Sequence, residues 1–126
     1  MNITLWALQS LLTAFFLVIG VGKMARPYES LRADQRLKWV DSFSPRAVKL
    51  IGLVEVLAAI GLIAPGLLGI GTVLTSLAAV GLAMLMAGAI IVHLRRREPQ
   101  MTALPSVLLA VIAFLAVGRL LWAPLA

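Results

Sequence analysis

The fold is decided by a run of mainly apolar residues, PRAVKLIGLVEVLAAIGLIA, at positions 45–64. A helix needs about 20 such residues to cross about 30 Å of hydrocarbon at about 1.5 Å per residue. Ser44 followed by Pro45 is typical of an N-cap with proline at the first helical position, and Pro65-Gly66 is typical of a helix end. The run therefore predicts a transmembrane helix over residues 45–64.

Three other stretches have the same length and apolar character, at residues 3–21, 70–94 and 103–122. Of the 126 residues, 62% are hydrophobic and only 13% are charged, whereas a soluble domain carries about 25% charged residues. We predict an all-α protein with a single domain over residues 1–126, an integral-membrane four-helix bundle. The short connection between the second and third spans predicts a tight antiparallel hairpin.

Positive charge is concentrated in two of the three connections. The first contains Lys23, Arg26, Arg32, Arg36, Lys38, Arg46 and Lys49, the third contains Arg95, Arg96 and Arg97, and the second contains none. Because basic loops remain in the cytoplasm, we predict a multi-pass protein of the cell inner (plasma) membrane with loops one and three cytoplasmic and both termini outside. The net charge is +6, but the basic side chains lie next to apolar spans. This arrangement disfavours a nucleic-acid partner.

The segment over residues 28–43 is polar but patterned, since Trp39 and Phe43 share a helical stripe with Arg36. This pattern favours a short amphipathic helix in the headgroup layer, whose basic side meets the anionic headgroups of the lipid bilayer. A solvated loop with incidental charges is the alternative that the pattern leaves open.

Glu55 is the only acidic or basic residue, histidine aside, between positions 50 and 94. It lies six residues beyond Lys49, and hence about 9 Å deeper in a helix. A carboxyl group there must be protonated, be paired with a base or face a polar cavity, which makes it a candidate site. Gly52, three residues earlier on the same face, leaves room for a partner.

Basic groups that could reach Glu55 are Lys23 at the end of the first helix, His93 near the end of the third, and Arg97 just beyond it. Glu55, His93 and Lys23 are therefore the candidate catalytic residues. One interpretation is a functional site. The other is an ion pair between Glu55 and Lys23 that only locks two helices together, with His93 at the interface.

A second polar group lies toward the other end of the spans. It comprises Gln9, Ser10, Thr13, Thr72, Thr75, Ser76 and Arg119. Gln9, Thr13, Thr75 and Arg119, with Gly52, are candidate ligand-binding residues that could line a polar pocket. In the alternative, the hydroxyls bond to their own helices and Arg119 extends to the membrane surface.

The residue inventory limits the chemistry. Cysteine is absent and histidine occurs once, so the chain cannot supply an iron–sulfur cluster or bis-histidine haem ligation, and we expect no metal site. We expect no intrinsic cofactor, and a quinone or lipid would be bound from outside or belong to a partner.

Several short motifs resemble the DoxX-like membrane proteins. They are Gly20-Val21-Gly22-Lys23, Lys49-Leu50-Ile51-Gly52-Leu53-Val54-Glu55, Gly61-Leu62-Ile63, and Met86-Ala87-Gly88-Ala89 with His93. The resemblance implies a four-helix inner-membrane bundle related to small subunits of terminal quinol oxidase and thiosulfate:quinone oxidoreductase complexes. Relatives with redox cysteines exist, and the lack of cysteine here disfavours a thiol-linked role.

Two functional hypotheses follow. The favoured one is an accessory or binding subunit for a hydrophobic ligand, quinone-like or lipid, or for a membrane-protein partner or a second copy of the chain. The alternative is a small membrane enzyme of isomerase or cyclase type that uses Glu55 as general acid or base. Transport is disfavoured because four helices leave little room for alternating access.

Overall fold

Five α-helices make up most of the chain in the computed structural model, which describes residues 2–69 and 72–122, without the side chains of residues 35, 36, 72 and 122. The helices are α1 (Asn2–Ala25), α2 (Tyr28–Ala33), α3 (Pro45–Leu68), α4 (Thr72–Arg95) and α5 (Ala103–Val117). Two 3-10 helices (Gln35–Ser42 and Pro99–Thr102) and a π-helical turn (Gly118–Trp122) complete the described part, which contains no strand.

Four helices are long and apolar enough to cross a membrane. They cover Asn2–Ala25, Pro45–Leu68, Val73–Arg95 and Pro99–Leu121, with mean hydropathies of 1.9 to 2.3. The predicted all-α bundle of four long apolar helices, with a short helix between the first and second, is therefore confirmed. Within it α1 packs along α3, α4 packs against α3 and α5, and α5 also contacts α1.

The start of α3 was predicted correctly, but its end was not. The Ser44 hydroxyl accepts a hydrogen bond from the Ala47 amide at 3.1 Å, yet the helix continues through Pro65 to Leu68 and is capped by Gly69, whose φ is 70°. Proline is tolerated inside apolar helices that pack against neighbouring helices. Pro65 leaves the Gly61 carbonyl without its usual amide donor, and Gln9 from α1 donates to the adjacent Leu62 carbonyl at 2.6 Å.

The predicted short helix between the first two spans is α2, and the segment over residues 28–43 folds back on itself after it. Helix α2 ends before Asp34, which is extended (φ −73°, ψ 121°), and the following 3-10 helix is interrupted at Leu37. The break allows Leu31 and Val40 to bury against Val48 of α3, forming a small second core. We call residues 28–43 the interfacial segment.

The main core lies between the four long helices and consists of aliphatic and aromatic side chains. Its fully enclosed members include Leu5, Phe16, Leu62, Leu82, Ile112 and Leu115. Where α1 crosses α3, Gly20 and Gly52 meet so closely that a Cβ on either would lie 2.7 Å from the carbonyl oxygen of the other. The two backbones are therefore in direct contact at this crossing.

Candidate functional site

A cavity of about 490 Å³ lies at the end of the bundle where α1 and α4 finish and α3 begins. We call it the inner cavity, and that end of the molecule, which carries residues 23–49 and 95–98, the basic end. Most of the lining is apolar, with aromatic rings and methionines prominent: Phe15, Phe16, Trp39, Phe43, Met84, Met86 and Met101. Such a lining suits a lipophilic ligand.

Lys23 and Glu55 form an ion pair at the wall of the inner cavity. The Lys23 Nζ lies 2.5 Å from the Glu55 Oε1, and the two side chains are only 12% and 2% exposed. Lys23 also lies over the Trp39 ring of the interfacial segment, 5.0 Å from its centroid. The buried carboxyl group predicted from the sequence thus has both a basic partner and a cavity beside it.

The contact between Gly20 and Gly52 is what allows this pairing. A Cβ on Gly52 would lie 2.8 Å from the Lys23 Cβ, so the lysine stem passes directly over Gly52, one turn before Glu55. Gly52 therefore lies at the helix crossing beneath the ion pair. Neither Gly20 nor Trp39 was predicted to contribute to the site, because their roles depend on which elements pack together.

His93 lines the same inner cavity from α4. It is 92% buried (8% exposed), and its Nδ1 has no hydrogen-bond partner among the described residues. The nearest charged oxygen is the Glu98 Oε1 at 3.8 Å, which is beyond hydrogen-bond distance. The Nδ1 is therefore enclosed by protein on the side of Glu98, while the ring forms part of the cavity wall.

Glu98 is held in the turn after α4 by its neighbours. Arg96 Nε donates to the Glu98 Oε1 at 2.7 Å, and this hydrogen bond lowers the pKa of the Glu98 carboxyl below its ordinary value, with smaller contributions from the charges of Arg96 and His93. Arg97, the third basic group considered for Glu55, is exposed in this turn and does not line the inner cavity.

The structure thus brings together the three candidate catalytic residues, Lys23, Glu55 and His93, from three different helices. Of the candidate ligand-binding residues, Gly52 lies beneath the ion pair and does not line the inner cavity. The other four, Gln9, Thr13, Thr75 and Arg119, lie elsewhere, toward the end where α1 begins. There Arg119 is fully buried, its Nε donating to the Gln9 Oε1 at 2.6 Å and its Nη1 to the Asn2 Oδ1 at 2.6 Å.

This second polar cluster is a network between helices. The Thr13 hydroxyl donates to the Ala59 carbonyl of α3 at 3.1 Å and not to its own helix, whereas the Ser10 hydroxyl donates within α1 to the Trp6 carbonyl. Thr75 is fully buried, and its hydroxyl has no hydrogen-bond partner in the described part of the chain. The side chain of Thr72 lies outside the described residues.

Arg119 does not extend to the surface, contrary to the alternative considered from the sequence. It lies in the π-helical turn Gly118–Trp122, a local unwinding that changes the direction in which side chains point. Leu5 packs directly on Gly118, and the guanidinium lies 5.3 Å from the Trp6 ring centroid. The turn thereby directs a cation into the bundle.

No three histidine, cysteine, aspartate or glutamate side chains come together as a metal ion would need, within residues 2–69 and 72–122. The ionisable groups that line the inner cavity are a carboxyl group, an amine and an imidazole, from Glu55, Lys23 and His93. These groups can donate and accept hydrogen bonds and move a proton.

Comparison with known protein families finds a match that extends from α1 to α5. The model of the DoxX-like family covers residues 7–115. The chain belongs to the DoxX-like family. This confirms the resemblance drawn from the sequence, and it supports a multi-pass membrane protein. Lys23, Glu55 and His93 of this DoxX-like protein lie within the matched residues, whereas Arg119 lies beyond them. Neither the comparison with curated proteins nor that with solved structures gives a match.

Proposed function

We propose that this DoxX-like protein is an accessory or binding subunit that holds a lipophilic molecule, quinone-like or lipid, in the inner cavity. One observation carries the proposal: the ionisable groups Lys23, Glu55 and His93 converge on a cavity that is otherwise apolar. Its volume of about 490 Å³ falls within the range of about 300–1,000 Å³ that is typical of small-molecule sites.

The charges of the site favour a ligand with an uncharged polar head. Lys23 and Glu55 already neutralise one another, so a charged head would enter a low-dielectric space without a counterion, at a high desolvation cost. A carbonyl or hydroxyl oxygen would instead bond to the His93 ring or to the Lys23 ammonium. The rest of the ligand would contact the aromatic and methionine side chains.

Two glycines of α4 provide a matched test. A Cβ at Gly88 or at Gly81 would meet no atom within 4 Å, but only Gly88 lines the inner cavity. Gly88→Leu should therefore fill the cavity, while Gly81→Leu adds the same side chain elsewhere on the same helix. Both variants should fold, because leucine favours a helix more than glycine does.

The measurement is the molecule that co-purifies with the protein in mild detergent, identified and quantified by mass spectrometry. We expect one lipophilic compound near equimolar amount with the wild type and Gly81→Leu, and at least a tenfold loss with Gly88→Leu. Protein that carries no such compound, or equal retention by both variants, would contradict the proposal.

Catalysis is the second candidate function, favoured by the position of Glu55 and His93 on one cavity. A carboxyl group paired with an ammonium can give or take a proton on a bound substrate, in an isomerisation or cyclisation for example. The test incubates the co-purified compound with wild type and with Glu55→Gln, which keeps the shape of the side chain. Conversion by the wild type that is lost in Glu55→Gln would support an enzyme, and equal conversion by both would remove Glu55 from the mechanism.

A further inference from the structure

A second depression, of about 420 Å³, lies beside the inner cavity at the basic end. It is lined by Ser42, Phe43, Val92, Arg95 and Arg96, and we call it the headgroup groove. One part of its lining is made of two guanidinium groups and a hydroxyl, and the other part is apolar. Phe43 and Val92 also line the inner cavity, so they separate the two spaces.

We infer that the headgroup groove binds the anionic phosphate headgroup of a membrane phospholipid. Guanidinium groups bind phosphate through paired, charge-assisted hydrogen bonds. The hydroxyl of Ser42 adds a donor, while Phe43 and Val92 offer an apolar surface for the glycerol and the start of the acyl chains.

The position of the groove along α4 suits this ligand. Helix α4 has 24 residues, which gives a length of about 36 Å at about 1.5 Å per residue, more than the hydrocarbon thickness of about 30 Å. The Arg95 end of a spanning α4 therefore lies in the headgroup layer. A soluble anion would leave the apolar part of the groove without a contact, whereas a phospholipid would contact both parts. We therefore assign the groove to a lipid.

The two arginines are arranged differently. Arg96 is fixed by two bonds, from its Nε to the Glu98 Oε1 at 2.7 Å and from its Nη1 to the Ser42 Oγ at 2.7 Å. Arg95 is exposed and has no hydrogen-bond or ion-pair partner in the described part of the chain. Arg96 thus holds the interfacial segment against the end of α4, and Arg95 remains available to the phosphate.

Arg97 provides a matched control for Arg95. It is adjacent, exposed and equally charged, but it does not line the groove. Arg95→Gln and Arg97→Gln therefore remove the same charge from the same turn. Neither residue bonds to another described side chain, so both variants should keep the thermal midpoint of the wild type.

The experiment measures binding of dioleoyl phosphatidylglycerol and dioleoyl phosphatidylcholine to the purified full-length protein by native mass spectrometry. We expect the wild type to prefer phosphatidylglycerol, Arg95→Gln to weaken that binding at least fivefold, and Arg97→Gln to change it less than twofold. Equal losses in both variants would show diffuse attraction and overturn the inference, as would equal affinity of the wild type for both lipids.

Two further measurements distinguish a lipid site in the groove from a site for free phosphate and from lipid binding in the inner cavity. Inorganic phosphate should not displace phosphatidylglycerol at millimolar concentration, and displacement would show that free phosphate is the ligand. Gly88→Leu, which fills the inner cavity, should bind phosphatidylglycerol as the wild type does. Loss of that binding in Gly88→Leu would show that the lipid occupies the inner cavity and would overturn the assignment to the groove.

Discussion

Charged side chains inside the bundle are each matched by specific neighbours. Lys23 contacts a carboxylate and an indole ring, and Arg119 contacts two side-chain amide oxygens and a second indole ring. Removing such groups from water costs several kcal/mol per charge, which only well-placed partners offset. Removing one partner is therefore more damaging than removing both.

The ion pair of Lys23 and Glu55 should show this asymmetry. Lys23→Met leaves the Glu55 carboxylate buried without its partner, and we expect a loss of about 3–5 kcal/mol in the free energy of unfolding. Lys23→Met combined with Glu55→Leu removes both charges and should recover most of that loss. The measurement is unfolding in mixed detergent micelles. Lys38→Met, at an exposed site, is the control, and a loss no larger than the control's would show that the pair contributes little.

Glu98 should make the turn after α4 sensitive to acid. Its pKa is lowered in the folded state, chiefly by the hydrogen bond from Arg96, so it contributes stability above its ordinary pKa of 4.5 and loses that contribution as the pH falls through the lowered value. We expect the thermal midpoint of the wild type to fall more than that of Glu98→Gln between about pH 7 and about pH 3. Identical shifts in the two proteins would show that Glu98 is not responsible.

Two features position the residues of the inner cavity. One is the close backbone packing where α1 crosses α3, and the other is the folded interfacial segment. Gly20 and Gly52 allow α1 and α3 to touch, which lets Lys23 reach Glu55. The hydroxyl of Tyr28 donates to the Phe43 carbonyl at 2.6 Å and holds the interfacial segment so that its rings cover the inner cavity.

Adding a methyl group at the crossing should separate α1 from α3. The Cβ of Gly52→Ala would lie 2.7 Å from the backbone oxygen of Gly20, which cannot move without shifting the helix, and we expect a loss of about 1–3 kcal/mol in the free energy of unfolding. Gly22→Ala, whose Cβ would meet nothing within 4 Å, is the control, and it should be neutral or slightly stabilising because alanine favours the helix. The unfolding free energies of the two variants decide between these outcomes, and equal values would contradict close packing at Gly52.

The whole molecule is electrically asymmetric. Ten of its eleven lysine and arginine residues belong to the first and third connections, while the remaining one, Arg119, is buried in the other half of the bundle. Among the described side chains, the exposed lysines and arginines therefore lie at one end of the molecule. This asymmetry is the physical basis for the predicted orientation in the membrane.

Cysteine labelling can test that orientation, because the natural sequence has no cysteine. Lys38→Cys and Leu68→Cys place a single thiol at exposed positions near opposite ends of the bundle. In right-side-out membrane vesicles, we expect a membrane-impermeant maleimide to modify the Leu68→Cys variant only, and in inverted vesicles the Lys38→Cys variant only. The reverse pattern would show that the basic end faces outward.

Local features of the chain were predictable, and those that depend on neighbours were not. The four apolar spans, the Ser44 cap and Glu55 as the one carboxyl group in the apolar part of α3 follow from length, hydropathy and the position of a single charged residue. The predicted helix end at Pro65 was wrong, since α3 continues to Leu68 and proline is tolerated inside apolar helices that pack against neighbouring helices. The short helix between the first two spans was also predictable, whereas the break after it, which lets Leu31 and Val40 pack together, was not.

The sequence by itself determined that four apolar helices form a bundle with one basic end, because hydropathy and charge are properties of each segment alone. Only the tertiary structure decided that Lys23, Glu55 and His93 share a cavity and that Arg119 bonds to Gln9, 110 positions away along the chain. The physical reason is that in lipid both the inward and the outward face of a helix are apolar. The amino-acid pattern therefore does not indicate which face points inward, and packing between helices decides it.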